Sequence, residues 1–230
     1  MQNIVIVGGT KGIGNQLAQL YSNSMVYVLA RSIDGFSNSS NITYLQWDST
    51  AATAEIAGLP EVIDALVYCP GSINLKPFHR LTEADFASDW QVNFMGAVKA
   101  IQLALPALKK ALNPAILLFS TVAVQTGMPF HASIASAKGA IEGLTRSLAA
   151  ELAPRIRVNC IAPSLVQTTL AEKLVNTPEK VEAGGKRHPL QRIGQPTDIA
   201  ELAAFLVSDK AGWITGQIMH ADGGMSSLKI

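Results

Sequence analysis

A glycine-rich turn follows a short apolar run near the start of the chain. Its residues are Gly8, Gly9, Thr10, Lys11, Gly12, Ile13 and Gly14. One glycine permits a tight turn, a second lets a pyrophosphate approach the backbone, and a third lets helix and strand pack closely. The amides at the start of the next helix face the anion. The spacing therefore predicts a dinucleotide site, and the alternative is an ordinary strand–helix loop.

Two cations indicate which dinucleotide binds. Arg31 and Ser32 follow the second apolar run, and Lys11 lies inside the glycine turn. A site that selects NAD commonly has a carboxylate at the end of the second strand, whereas a positive charge accommodates a 2′-phosphate. These residues favour NADP(H) as the cofactor. The alternative is that both cations are solvated surface residues.

The turn belongs to an alternation of short apolar runs and longer helical patterns. The predicted strands are residues 3–7, 25–30, 42–46, 65–68, 115–119, 157–161 and 217–221. The clearest predicted helices are residues 13–21, 82–110, 133–151 and 197–206. Near-continuous apolar strands separated by helices indicate a parallel sheet that is covered on both faces. We predict a single α/β domain over residues 1–230, with a doubly wound Rossmann-type parallel sheet.

Two connections depart from this alternation. The connection 48–64 is short, so its crossover helix is predicted to be stunted. The segment 177–196 is rich in Pro and Gly, and we interpret it as a mobile segment over a site rather than a domain boundary.

Composition excludes several classes of function. The net charge is +1 and no Lys/Arg run is present, so nucleic acid is not an expected partner. No apolar stretch is long enough to span a bilayer, and the opening run is too short for a signal peptide. We therefore expect a cytoplasmic protein without a membrane partner. Cys69 and Cys160 are predicted to be reduced thiols, and no metal site is predicted.

A longer set of motifs resembles the short-chain dehydrogenases/reductases. The segment 131–146 reads HASIASAKGAIEGLTR and resembles the catalytic helix of that family. The segments 92–96 (VNFMG), 157–163 (RVNCIAP), 189–196 (PLQRIGQP), 214–217 (ITGQ) and 222–224 (DGG) match further family motifs. The resemblance covers nearly the whole chain and implies a nicotinamide-dependent oxidoreductase.

The resemblance also implies catalytic roles. In the family, a tyrosine supplies the proton, and a lysine four residues later lowers the phenol's pKa from about 10. A hydroxyl residue polarises the carbonyl, and an asparagine holds a water that relays protons. This chain has Asn93, Thr121 and Lys138 at three of these positions, but Ile134 stands where the tyrosine is expected.

Further residues are assigned to the cofactor by resemblance. Asp48 matches the residue that contacts the adenine amino group, and Lys138 matches the one that binds the nicotinamide ribose. In the family, the turns after the fourth and sixth strands lie along the cofactor. The matching positions in this chain are Gly71, Pro163, Val166 and Thr168, and Ser164 stands where the family has a glycine.

The missing phenol leaves two candidate replacements. General acid catalysis contributes roughly 10²–10⁴-fold, so ordinary ketone reduction by the family mechanism should be severely impaired. His131 lies three residues before Ile134 and titrates near neutrality. Tyr68 precedes the turn after the fourth strand. The alternatives are that His131 only forms a hydrogen bond within its loop and that Tyr68 only packs in the core.

Three functions remain open. We favour an NADP(H)-dependent oxidoreductase that acts on a small apolar carbonyl, imine or enone through an atypical proton path. The others are a catalytically impaired, cofactor-binding pseudoenzyme and a non-redox enzyme on the same fold.

Substrate specificity and assembly are open too. We expect a small-molecule substrate whose selection depends on residues 72–80, 122–131 and 169–188, and Met128, Phe130 and Leu165 suggest an apolar pocket. The resemblance further implies a homo-oligomer, a dimer or tetramer, through the helices 82–110 and 133–151.

Overall fold

The computed structural model describes residues 1–32, 39–51 and 55–229. The strands in these ranges are β1 (Asn3–Val7), β2 (Met25–Ala30), β3 (Ile42–Gln46), β4 (Ala65–Tyr68), β5 (Ala115–Phe119), β6 (Arg157–Pro163) and β7 (Ile218–Ala221). The α-helices are α1 (Gly12–Leu20), α2 (Glu83–Trp90), α3 (Gly96–Leu108), α4 (Ala123–Thr126), α5 (Ala132–Leu152), α6 (Glu172–Val175), α7 (Pro178–Gly185) and α8 (Pro196–Val207). A π-helical turn (Gln91–Met95) joins α2 to α3, and 3-10 helices span Phe78–Arg80, Thr169–Ala171 and Asp209–Ala211.

The described strands form one parallel sheet in the order β3-β2-β1-β4-β5-β6-β7. The predicted doubly wound α/β fold is therefore confirmed. The first five strands have the predicted bounds, β6 continues to Pro163, and β7 begins at Ile218. The chain moves outward from β1 to β3 and then returns to the other side of β1. This reversal opens a crevice at the carboxyl ends of β1 and β4, which is where doubly wound sheets bind ligands.

Each face of the sheet has its own apolar core, because successive side chains of a strand point to opposite faces. In β1, Ile4 and Ile6 pack with residues of α1 and α8. Val5 and Val7 pack with residues of α3 and α5 on the opposite face. Among the described residues, no helix combines the length and hydropathy needed to cross a membrane.

The predicted helix 82–110 is not continuous, because the π turn interrupts it. The phenol of Tyr68 donates a hydrogen bond of 2.6 Å to the Val92 carbonyl, and the Asn93 amide donates one of 2.8 Å to the Asp89 carbonyl. Both carbonyls belong to the stretch where the hydrogen-bond ladder of the helix changes. Such π turns are frequent at functional sites. The crossover 48–64 holds no helix in its described part, while residues 52–54 lie outside the described residues.

Gly96 makes room for the buried Tyr68 ring. A Cβ atom at this position would lie 2.1 Å from the Tyr68 hydroxyl oxygen and 2.9 Å from Ser49 Cβ. We predict that Gly96→Ala lowers the free energy of unfolding by about 1–3 kcal/mol, because the packed core must shift. Gly143→Ala is the matched control, since nothing lies within 4 Å of a Cβ there. Gly143→Ala should raise the free energy of unfolding by about 0.5–1 kcal/mol, because alanine is the better helix former. Equal denaturant midpoints for the two variants would contradict the packing argument.

Candidate active site

A cavity of about 520 Å³ lies at the carboxyl ends of β4, β5 and β6. Its floor comes from the residues that follow these strands, one wall comes from α5, and α6 and α7 cover it. The segment 177–196, predicted to lie over a site, supplies part of this cover and contains α7 rather than loop alone. In the part of the chain that the structure describes, no Asp, Glu or Tyr side chain lines the cavity.

Many of the residues singled out in the sequence converge on this cavity. The ones that line it are Ile13, Gly71, Thr121, His131, Ile134, Lys138, Pro163, Val166 and Thr168. Asn93 is fully buried and does not line it. The remaining predicted cofactor residues lie outside the cavity wall, around the turns after β1, β2 and β3, and these are Gly8, Thr10, Lys11, Gly12, Gly14, Arg31, Ser32 and Asp48.

The glycine turn has a backbone that other residues would strain. Gly8 and Gly12 have φ of +77° and +55°, and a Cβ on Gly14 would lie 2.6 Å from the Gly8 carbonyl oxygen. Lys11 is the N-cap of α1 but offers no side-chain hydrogen bond. The first amides of α1 therefore lack a side-chain cap and can face an anion. A Cβ on Gly12 would lie 3.3 Å from Thr168, so the turn adjoins the cavity.

The outer end of this crevice carries mixed charge. Lys11 and Arg31 are exposed beside the carboxyl ends of β1 and β2. Asp48 follows β3, and its pKa is lowered by hydrogen bonds from the Thr50 backbone and side chain and by the charges of Arg31 and Lys99. The carboxylate of Asp48 is thus ionised and held in a defined orientation.

Lys138 is a buried cation in the cavity wall, with 7% of its surface exposed. Its ammonium donates a hydrogen bond of 2.8 Å to the carbonyl of Phe119, the last residue of β5. Burial lowers the pKa of Lys138 to about 8, while the charge of Asp89 opposes that shift. Cys69 and Cys160 also adjoin the ammonium, but burial raises the pKa of each thiol to about 12, so both are neutral when Lys138 titrates.

Ile134 precedes Lys138 by one helical turn and lines the same cavity. Tyr68 does not line it, since its ring belongs to the core beneath α3 and α5 and burial raises its pKa. Tyr68 is therefore the packing residue that the alternative interpretation describes. His131 does line the cavity, and its Nδ1 lies 2.7 Å from the Pro129 carbonyl oxygen. Because a carbonyl only accepts, Nδ1 carries a proton and Nε2 is left for a ligand.

Two hydroxyl residues follow β5. The Thr121 hydroxyl oxygen accepts a hydrogen bond of 3.3 Å from the Ala123 amide, so its own proton is available to a ligand. Ser120 instead donates to the buried carboxylate of Glu142 at 2.8 Å. Thr121 is thus the freer of the two donors.

Asp89 and Ser133 have no assigned role in the sequence-based prediction, and Ser72 enters it only as the first residue of the range 72–80. Ser72 and Ser133 each donate a hydrogen bond of 2.5 Å to Asp89, one to each carboxylate oxygen. The Asn93 amide donates to the Ser72 hydroxyl at 2.8 Å. The available sequence signal is the spacing of Asp89 and Asn93, which lie four residues apart and hence on one helix face.

The cover contributes residues of the segment 169–188, which the sequence predicts to select the substrate without singling out these side chains. His188 is buried, and its ring nitrogens lie 2.8 Å from the Gly184 carbonyl oxygen and 2.8 Å from the Ser164 hydroxyl. This pair joins the cover to the turn after β6. Lys173, Lys180 and Arg187 also line the cavity from this side.

The apolar pocket is partly as predicted. Met128 and Leu165 line the cavity, whereas Phe130 does not. Phe130 has φ of +71° and is 56% exposed, so its unusual backbone turns the ring outward.

Comparison with known proteins agrees with this architecture. A family model described as enoyl-(acyl carrier protein) reductase matches residues 46–226. The chain is 31% identical over 243 residues to the 3-oxoacyl-[acyl-carrier-protein] reductase FabG of Staphylococcus aureus, covering 97% of this chain and 98% of that protein. A tropinone reductase homolog of Datura stramonium is 30% identical over 244 residues, covering 96% and 90%.

Solved structures give the same result. The ligand-free aldohexose dehydrogenase of Thermoplasma acidophilum superposes with a TM-score of 0.87 at 26% identity, covering 99% of this chain and 95% of that one. ElxO with NADP bound gives a TM-score of 0.87 at 26% identity, covering 99% of each chain. Fold and sequence agree along nearly the whole length. The chain therefore belongs to the short-chain dehydrogenase/reductase family of oxidoreductases.

Proposed function

We propose that the protein is an NADP(H)-dependent oxidoreductase in which Lys138, rather than a tyrosine, supplies the proton. The observation that carries this proposal is the buried Lys138 ammonium in the cavity wall, one helical turn from Ile134 and with no phenol among the described lining residues. Ile134 stands, in this proposal, at the position of the family tyrosine. The substrate is a small carbonyl, imine or enone.

NADP(H) suits the residues present. The strained glycine turn and the uncapped start of α1 accommodate a pyrophosphate, and Lys11 and Arg31 suit a 2′-phosphate. The residues that would hold the cofactor are Gly8, Thr10, Lys11, Gly12, Ile13, Gly14, Arg31, Ser32, Asp48, Gly71, Lys138, Pro163, Val166 and Thr168. When bound, NADPH supplies a hydride to the electrophilic carbon of the substrate.

The similar protein ElxO supports the idea that NADPH can bind where a tyrosine hydroxyl is missing. ElxO was solved with NADP, and a variant in which one tyrosine is replaced by phenylalanine was solved with NADPH. One tyrosine hydroxyl of that protein is therefore dispensable for holding NADPH. By analogy, Ile134 need not prevent cofactor binding in this chain.

Lys138 has the properties of a general acid. An ammonium carries three donors, and the Phe119 carbonyl uses one of them. With a pKa lowered to about 8, the group is largely protonated at neutral pH and still gives up its proton readily. Thr121 polarises the substrate oxygen through its free hydroxyl proton, and the proton on Lys138 Nζ moves to the anion that forms.

The charge of the cavity narrows the substrate class. Lys173, Lys180 and Arg187 line it together with Lys138, and no carboxylate does so among the described residues. The Lys180 ammonium contacts only neutral oxygens, the Lys173 carbonyl at 2.9 Å and the Asn176 side chain at 2.8 Å. A positive cavity repels an iminium and attracts an anion. We therefore favour a ketone or enone that carries a carboxylate or phosphate group.

The central experiment combines calorimetry with turnover. Purified protein should bind NADPH and then oxidise it in the presence of a carbonyl, imine and enone panel. Binding of NADPH without turnover would support the pseudoenzyme. Product that forms equally well with NADP⁺ would support a non-redox enzyme.

The ionisation of Lys138 predicts a pH profile. Reduction needs the ammonium, so its rate should fall as pH rises through about 8, the pKa of Lys138. Lys138→Arg keeps the charge but gives up no proton near this pH. This variant should retain NADPH affinity and lose about 10²-fold in kcat. Lys138→Met, which removes both the charge and the proton, should lose NADPH affinity as well as kcat. Stopped-flow rates and calorimetric affinities measure the two effects, and a flat profile in the unaltered protein would refute the role.

Restoring a phenol tests the assignment of Ile134. Ile134→Tyr places a hydroxyl one turn from the Lys138 charge, and we expect ketone reduction to rise by about 10²-fold. Ile134→Phe has nearly the same volume without the hydroxyl, and its rate should not rise. Steady-state rates with one ketone compare the two variants. An equal rate in both would show that position 134 is not the acid/base position.

A pair of substrates tests the charge preference. A keto acid should have a lower KM than its methyl ester. The double change Lys173→Gln and Arg187→Gln should raise the KM of the keto acid about three- to tenfold and leave that of the ester unchanged. Lys186→Gln is the matched control, because Lys186 pairs with Glu182 at 2.6 Å and does not line the cavity. Equal effects on acid and ester would contradict the preference.

A further inference from the structure

Behind the cavity wall, α2 carries a buried carboxylate, Asp89, with only 2% of its surface exposed. Within the described ranges, no Lys, Arg or His lies at ion-pair distance from it. Burying a carboxylate without a cation is costly unless hydrogen bonds compensate. Two hydroxyls, Ser72 and Ser133, meet this need at 2.5 Å each.

The hydrogen-bond inventory of Ser72 determines what it can offer a ligand. Its single proton is committed to Asp89, and one lone pair accepts from the Asn93 amide at 2.8 Å. A hydroxyl oxygen has one further lone pair. Because Ser72 lines the cavity, that lone pair is available to a hydrogen-bond donor on a ligand.

The hydrogen-bonded group of Asp89, Ser72 and Asn93 extends toward Lys138. The side-chain oxygen of Asn93 is buried and has no hydrogen-bond partner among the residues that the structure describes. A Cβ on Gly71 would lie 3.4 Å from this oxygen and 3.7 Å from Lys138 Nζ. The missing side chain of Gly71 thus leaves a gap between them. Asn93 in turn donates from its side-chain nitrogen to the Asp89 carbonyl at 2.8 Å, so Asp89 belongs to the same group of contacts, and its negative charge raises the pKa of Lys138.

We propose that Asp89 is a positioning residue for the reaction, which holds the Ser72 oxygen as an acceptor toward the substrate and stabilises the Lys138 ammonium by its negative charge. The proposal rests on the proposed function, in which Lys138 supplies the proton. Ser72 then accepts a hydrogen bond from a second hydroxyl or amide group of the substrate, because the hydroxyl proton of the reacting alcohol is the one that moves to and from Lys138. Ser133, the residue before Ile134, ties α5 to the same carboxylate.

Other charged groups around Lys138 do not substitute for Asp89. The thiols of Cys69 and Cys160, on the neighbouring strands, stay neutral because burial raises the pKa of each to about 12. Glu142, on the same helix as Lys138, is engaged by Ser120 at 2.8 Å and by Arg146 at 3.4 Å. Around Asp89 itself, Asp85 is paired with Lys76 at 2.6 Å. Removing the Asp89 charge should therefore lower the pKa of Lys138 below about 8.

The test compares Asp89→Asn with Glu142→Gln, which removes the paired carboxylate. In Asp89→Asn, the alkaline fall of the reduction rate should move to lower pH by about one unit, since a nearby opposite charge shifts a pKa by that order. In Glu142→Gln the fall should stay in place. NMR titration of isotope-labelled lysine side chains, with Lys138→Arg to identify the signal, measures the same shift without turnover. A folded Asp89→Asn protein with an unmoved titration overturns the electrostatic role.

Ser72→Ala tests the contact separately. It keeps the Asp89 charge, so the pH at which the rate falls should not change, while the KM of a substrate that carries such a second donor should rise about tenfold. An unchanged KM in Ser72→Ala overturns the Ser72 contact. This result can be obtained even if the Asp89→Asn variant does not fold. Absence of any lysine titration near pH 8 in the unaltered protein instead refutes the proposed function. The two failures are thereby distinguished.

Discussion

A single buried cation sets the conditions for the rest of the site. Lys138 is 7% exposed, and its ammonium is held by the carbonyl at the end of β5. In a medium of low dielectric constant a charge is stable only beside dipoles or opposite charge. The Phe119 carbonyl supplies such a dipole at 2.8 Å. Burial still lowers the pKa of Lys138 to about 8, and the charge of Asp89 opposes that shift only in part.

The crevice that contains this cation is a consequence of the sheet order. The reversal between β3 and β4 separates the connections that leave β1 and β4. Glycines then allow the resulting turns to approach one another. Gly8 lies against Pro70, and Gly12 lies against Thr168, with hypothetical Cβ distances of 3.1 and 3.3 Å. The glycine turn therefore adjoins the cavity.

The cavity itself has two chemically different sides. Around Ile134, no phenol lines the cavity among the described residues, and the polar groups there include the Lys138 ammonium and the Thr121 hydroxyl. Opposite it, α6 and α7 contribute apolar side chains together with Lys173 and Arg187. The His188 ring joins this cover to the turn after β6 through Ser164. Such a cavity suits a substrate that has an apolar body, an anionic end and a reducible carbon.

The features that the sequence predicted correctly are those that depend on residues close together in the chain. The apolar run 3–7 and its six counterparts predicted every strand, because a strand buried on both faces must be apolar throughout. The glycine spacing at 8–14 predicted the turn, and the HASIASAKG motif has Ile134 four residues before Lys138, a spacing that puts both on one helix face. The helix 82–110 was predicted without its interruption, since the π turn involves Tyr68, which lies far away in sequence.

The sequence by itself thus determined the parallel sheet, the glycine turn after β1 and the isoleucine that stands four residues before Lys138. Only the tertiary structure decided which polar groups surround that lysine. Asp89, Ser72 and Ser133 come from three separate segments, up to 61 residues apart by their numbering, and no periodicity relates them. Their hydrogen bonds arise because the packing of α2 against α5 removes a carboxylate from water. A chain read without its fold contains no sign of that burial.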